Sequence, residues 1–153
     1  VRRNGSIIEM QKPEPKKIKA TAKWQQALAF DATSDNNHTF RLDTTKEGGS
    51  LDSGMSPKQA LLASLCGCSG MDVVSILNKM RAPFSILEIE AEAEQTDTHP
   101  KVFKWVKMVY KADVVKEDAD KLQKAVELSH EKYCGVSIML KKHCDITYTI
   151  ELL

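Results

Sequence analysis

The stretch that decides the fold spans residues 56–81 and reads SPKQALLASLCGCSGMDVVSILNKMR. Ser56 suits a helix cap, Pro57 suits the first helical position, and Gln59 completes a capping box. The apolar-rich run that follows predicts a helix to about Met80, with Lys79 and Arg81 favoured near its end by the dipole and Pro83 helping to stop it. Because the run is apolar nearly all round, it predicts a central, buried helix. Gly67 and Gly70 each cost roughly 1 kcal/mol of helix stability relative to Ala, so they point to the close approach of another backbone. Asp72, near the middle, speaks against a membrane span.

Working outward, residues 1–17 contain KPEPKK with a small basic cluster at Lys12, Lys16 and Lys17, and read as a mobile leader. Residues 18–24, 27–31 and 38–43 are short β-leaning runs that predict a meander, and residues 44–54 a loop. Downstream, Leu87, Ile89, Ala91 and Ala93 alternate with Glu88, Glu90, Glu92 and Glu94, which predicts a half-buried strand with an acidic outer face. Residues 102–114 predict its hairpin partner, with Val106, Met108, Tyr110, Ala112 and Val114 on one face and Lys104, Lys107 and Lys111 set to meet the glutamates. Residues 117–133 predict an amphipathic helix with Leu122, Ala125, Val126 and Ser129 on one stripe. Residues 136–142 predict a further helical turn, and Cys144, Ile146, Tyr148, Ile150 and Leu152 share one face of a last strand. The order of elements is α+β.

Composition bounds the function. The chain has 153 residues, 42% hydrophobic and 28% charged, enough for one domain with its own core. A formal net charge of +1 gives no electrostatic reason to expect a nucleic acid, and no secretory signal or membrane segment is read. The four cysteines therefore read as reduced thiols of a cytosolic protein.

Taken singly, the cysteines differ. Cys144 lies in the apolar phase of its strand and reads as a small core hydrophobe. Cys66 and Cys68 are separated by two helical steps of about 100° each, so their thiols point to nearly opposite sides and cannot chelate one ion. Adding His143 and Cys144 gives no standard zinc spacing, so neither metal nor cofactor is expected. Cys134, followed by Gly135-Val136-Ser137, has two readings that the sequence leaves open. One is a thiol whose pKa falls at a helix N-terminus; the other is a half-buried Cys beside a glycine cap.

The segment from Ser56 resembles the central helix of the OsmC/Ohr family. Members share an N/S-P-x-E/Q start and a Cys twelve residues beyond the first position, which here is Cys68 and not Cys66. Their second signature, a Cys in a C-P/G-x-S context after the second helix, is matched by Cys134-Gly135-Val136-Ser137, and KIKATAKW resembles the first strand. The likeness covers residues 18–153, and GCS-x-x-DVVSIL is most similar to an OsmC-like subgroup. It implies an α+β fold of N-terminal meander, central helix, long hairpin, second helix and final strand, assembled as an intertwined homodimer. It also implies a thiol-dependent peroxidase: Cys68 attacks an organic hydroperoxide and becomes a sulfenic acid, Cys134 closes a disulfide, and an external dithiol reduces it. The family's activating Arg–Glu pair is missing, since Lys58 holds the Glu position and Trp24-Gln25-Gln26 the Arg region. Lys58 or Arg41 is the candidate substitute for the positive charge. Asp72, one turn beyond Cys68, reads as a carboxylate capping or bridging backbone at the subunit interface. The competing function is a non-catalytic, small-molecule-binding or redox-sensing dimer on the same scaffold.

Overall fold

The computed structural model describes residues 12–153. The contacts divide the chain into two compact units, residues 1–54 and 55–153. The leader expected over residues 1–17 lies mostly outside the described residues, and residues 12–19 carry neither helix nor strand.

The first unit holds the meander: β1 (Ala20–Gln26), β2 (Ala29–Ser34) and β3 (Thr39–Leu42), antiparallel in that order. Strand 1 runs two residues later than the sequence suggested, and Ala27, expected in the second strand, sits instead in the turn with φ 48°. Trp24 braces that turn, its indole N–H donating to the Ala27 carbonyl at 2.9 Å. Among the described residues few side chains of this unit are buried: Trp24, Phe30 and Phe40 all remain exposed.

The second unit packs helices on a three-stranded sheet. Helix α1 (Pro57–Lys79) begins as the sequence dictates, with the Ser56 hydroxyl accepting from the Gln59 amide at 3.2 Å and the Gln59 side chain accepting from the Ser56 amide at 2.9 Å. Strands β4 (Leu87–Gln95) and β5 (Phe103–Ala112) form the hairpin, and β6 (Asp145–Leu152) adds to β5 in parallel. Val106, Met108, Tyr110 and Ala112 turn into the core as the alternation predicts, and Val114 joins them beyond the strand end. On the outer side Lys104 pairs with Glu94 at 2.8 Å and Lys111 with Glu90 at 3.0 Å, whereas Lys107 lies 4.6 Å from the Trp105 ring centroid.

Two expectations concern faces that a single chain leaves uncovered. The helix α1 is not buried all round: Leu65, Ser69, Val73 and Leu77 enter the core, but Leu61, Met71 and Val74 are exposed on the single chain. Within the single chain its glycines meet no other backbone. A Cβ on Gly70 would meet the Ile89 side chain at 3.1 Å, and nothing lies within 4 Å of one on Gly67.

The helix expected over 117–133 is composite. A short 3-10 turn (Lys116–Asp118) leads into α2 (Ala119–Leu128), which widens into a π turn (Ser129–Tyr133) before α3 (Gly135–Lys141). The π turn is closed by the Cys134 amide on the Ser129 carbonyl at 2.8 Å. Such turns insert an extra residue per turn and shift the phase of the side chains. Here the shift leaves Tyr133 exposed while His130 and Cys134 are buried.

Candidate thiol site

Cys68 and Cys134 arrive from different elements of the second unit. Cys68 lies late in the first half of α1, half-buried, and Cys134 is the fully buried N-cap of α3. The two are neighbours: Cys68 lies close enough to push the Cys134 thiol's pKa up. The Cys134 Sγ accepts the Ser137 amide hydrogen at 3.3 Å.

A helix N-terminus suggests a lowered thiol pKa, but the outcome is the reverse. Burial pushes Cys134 up to about 11; the Ser137 amide pulls it down, and Cys68 and the Asp72 charge push it further up. A single amide donor does not offset removal of the thiolate from water. Of the other thiols, Cys66 points away as the helical spacing requires, lining a shallow surface with Gly70, Leu87 and Ile89, and burial raises its pKa. Cys144 is 7% exposed within the core, as its apolar phase predicts.

The proposed substitute cations are engaged elsewhere. Lys58 donates to the Gln95 side chain, and Arg41 holds Asp31 and Ser53 within the first unit. Asp72 accepts the Ser129 hydroxyl at 3.0 Å rather than bridging backbone, which corrects its expected partner. Among the described residues no cluster of three or more His, Cys, Asp or Glu is placed to hold a metal ion.

Beside the thiols runs a buried polar line that the motif reading did not single out. Ser69 Oγ lies 2.8 Å from Ser129 Oγ and 2.6 Å from the Tyr110 hydroxyl, and that hydroxyl lies 2.7 Å from His130 Nε2. His130 Nδ1 faces Ser137 Oγ at 3.4 Å, while its ring stacks on Tyr148 with centroids 4.6 Å apart. Burial, helped by the charge of Lys141, lowers His130 to about 4 and so keeps it neutral near pH 7. Burial likewise raises the Tyr110 phenol far above its usual value, so it too stays protonated. One sequence signal existed. Tyr110 and Ser129 occupy apolar phases of their elements, and buried polar groups require partners.

Two thiols from separate helices thus lie beside a buried hydroxyl–imidazole line on an α+β scaffold. The chain belongs to the OsmC-like protein family, whose model matches residues 48–149. It is 34% identical over 137 residues to Protein YhfA of Escherichia coli K12, a match covering 88% of this chain and 98% of that protein. Solved structures share the fold. An OsmC-like protein of unknown function from Vibrio cholerae superposes with a TM-score of 0.75 at 15% identity, over 89% of this chain and 99% of that one. The organic hydroperoxide resistance protein OhrB of Bacillus subtilis superposes with a TM-score of 0.62 at 22% identity, over 89% and 98%.

Proposed function

We propose that the protein is a thiol-dependent peroxidase that reduces organic hydroperoxides through a Cys68/Cys134 dithiol cycle, in oxidative-stress defence, as a cytoplasmic homodimer regenerated by an external dithiol. The observation that carries the reading is the meeting of Cys68 with Cys134 in one site. Exposure supports the division of roles. Half-buried Cys68 is the thiol a peroxide reaches, and fully buried Cys134 is the one that attacks the resulting sulfenic acid. The Bacillus subtilis protein of the same fold is named for organic hydroperoxide resistance, which supports the substrate class. The exposed apolar residues on α1, with Met71 at 76%, support a second copy as the partner.

The test is thiol titration after mixing the reduced protein with cumene hydroperoxide. Two thiols of the four should disappear into one intramolecular disulfide. Cys68→Ser should abolish the loss, and Cys134→Ser should stop the cycle at a sulfenic acid. Four thiols left free after excess peroxide would overturn the proposal.

A second reading has its own support, because the pKa of Cys134 is raised and Lys58 and Arg41 are engaged elsewhere. It makes the protein a non-catalytic small-molecule-binding or redox-sensing dimer. A rise in melting temperature with small apolar ligands, without peroxide turnover, selects it.

A further inference from the structure

The buried line from Asp72 to His130 has a single consistent direction. The Ser129 hydroxyl donates to the Asp72 carboxylate, which can only accept. Each hydroxyl has one proton. With that of Ser129 committed, Ser69 donates to Ser129 at 2.8 Å. With that of Ser69 committed, Tyr110 donates to Ser69 at 2.6 Å, a far shorter contact than the 3.9 Å to Met108 Sδ that competes for the same proton. The Tyr110 oxygen is then an acceptor for His130 Nε2 at 2.7 Å, so the neutral ring carries its hydrogen on Nε2. Nδ1 keeps its lone pair and faces the Ser137 hydroxyl, whose own backbone amide holds Cys134 Sγ.

We propose that Asp72, Ser129, Ser69 and Tyr110 are positioning residues that lock His130 in the Nε2–H tautomer, so that Nδ1 accepts the Ser137 hydroxyl and fixes the residue whose amide holds Cys134 Sγ for disulfide closure. The inference rests on the dithiol cycle of the preceding reading and deepens it. In that step the Cys134 sulfur bonds to the Cys68 sulfur and the S–O bond of the sulfenic acid breaks. Cys134 is oxidised by one electron, the sulfenic sulfur is reduced by one, and the departing hydroxide leaves as water. The proton comes from the Cys134 thiol and passes to the hydroxide. The buried imidazole stays neutral throughout, so it acts by holding Ser137 in place. The logic is that of a carboxylate fixing a histidine tautomer in a hydrolase triad, relayed here through three hydroxyls.

Nitrogen-15 shifts of His130 in the reduced protein read the tautomer whether or not peroxide is turned over. Nε2 should be protonated and Nδ1 bare, and a protonated Nδ1 overturns the proposal. Asp72→Asn gives the line a terminus that can also donate, so the Nδ1–H form should appear, while Ser129→Ala uncouples the line at a site that loses only one oxygen. In Ser129→Ala, consumption of the first thiol by cumene hydroperoxide should match the parent. Disulfide closure should slow by about tenfold or more, with the Cys68 sulfenic acid accumulating. Unchanged tautomer and closure rate in both variants would also overturn it. A parent that never forms a disulfide with hydroperoxide removes the peroxidase reading alone. Closure is then timed with diamide as the oxidant, where the same slowing supports the lock and equal rates overturn it.

Discussion

The Sγ of Cys134 accepts the Ser137 amide at 3.3 Å, yet burial still pushes this thiol up to about 11. At about pH 8 only on the order of one molecule in a thousand then carries the thiolate, the form that reacts with electrophiles. Iodoacetamide should therefore label half-buried Cys68 in the native protein and leave Cys134 unmodified until the chain is unfolded. Peptide mass mapping after a timed pulse distinguishes the two. Labelling of Cys134 as fast as Cys68 would contradict the burial argument.

How much of this was legible beforehand depends on how local the signal was. The capping box at Ser56 and the Glu alternation of β4 depend on neighbouring residues, and both the helix start and the strand fall where they point. The π turn at Ser129 follows no such pattern, because it trades a regular helical bond for the placement of His130 and Cys134 against α1 and the sheet. The sign of the Cys134 shift was equally hidden. Spacing reveals the helix terminus that favours the thiolate, but the depth of burial that outweighs it is a property of packing. Cys68 was legible as a family position, whereas His130 acquires meaning only beside Tyr110, which lies on another element.

His130 makes stability depend on pH. Its folded pKa of about 4 lies below the ordinary 6.5, chiefly because burial disfavours the imidazolium. Between those values the unfolded chain binds more protons than the folded one, so stability rises with pH. The contribution is complete above about 6.5 and is lost as pH falls toward the folded value. Thermal melts across this window should show the midpoint falling with acidification, and His130→Gln should flatten that dependence. An equally steep fall in the variant would place its origin in other groups.

The core and the surface pairs should separate cleanly in denaturant. Leu65 is fully buried on α1, so Leu65→Ala should cost about 2–5 kcal/mol through lost burial and the cavity left behind. Lys104 and Glu94 are both solvent-exposed, so Lys104→Ala should cost less than about 1 kcal/mol despite the 2.8 Å contact. Urea titrations compare them directly, and a surface loss rivalling the core loss would refute the ranking.

Gly67 offers the sharpest test of assembly. A Cβ placed there meets nothing within 4 Å on its own chain, and Met71, one turn further along α1, is 76% exposed. Within a lone chain Gly67→Leu should stabilise the helix, since Gly costs up to about 1 kcal/mol relative to good helix formers. Against a second copy the same side chain occupies the space that a glycine leaves for close approach. The variant should therefore remain folded, as far-ultraviolet circular dichroism reports, while sedimentation equilibrium shows the dimer weakened by about tenfold or more. Met71→Lys, which puts a charge on the same face without adding to the helix's own packing, should act in the same direction. Undiminished dimers in both variants would move the subunit contact away from this face of α1, and with it the reason for a glycine at this position.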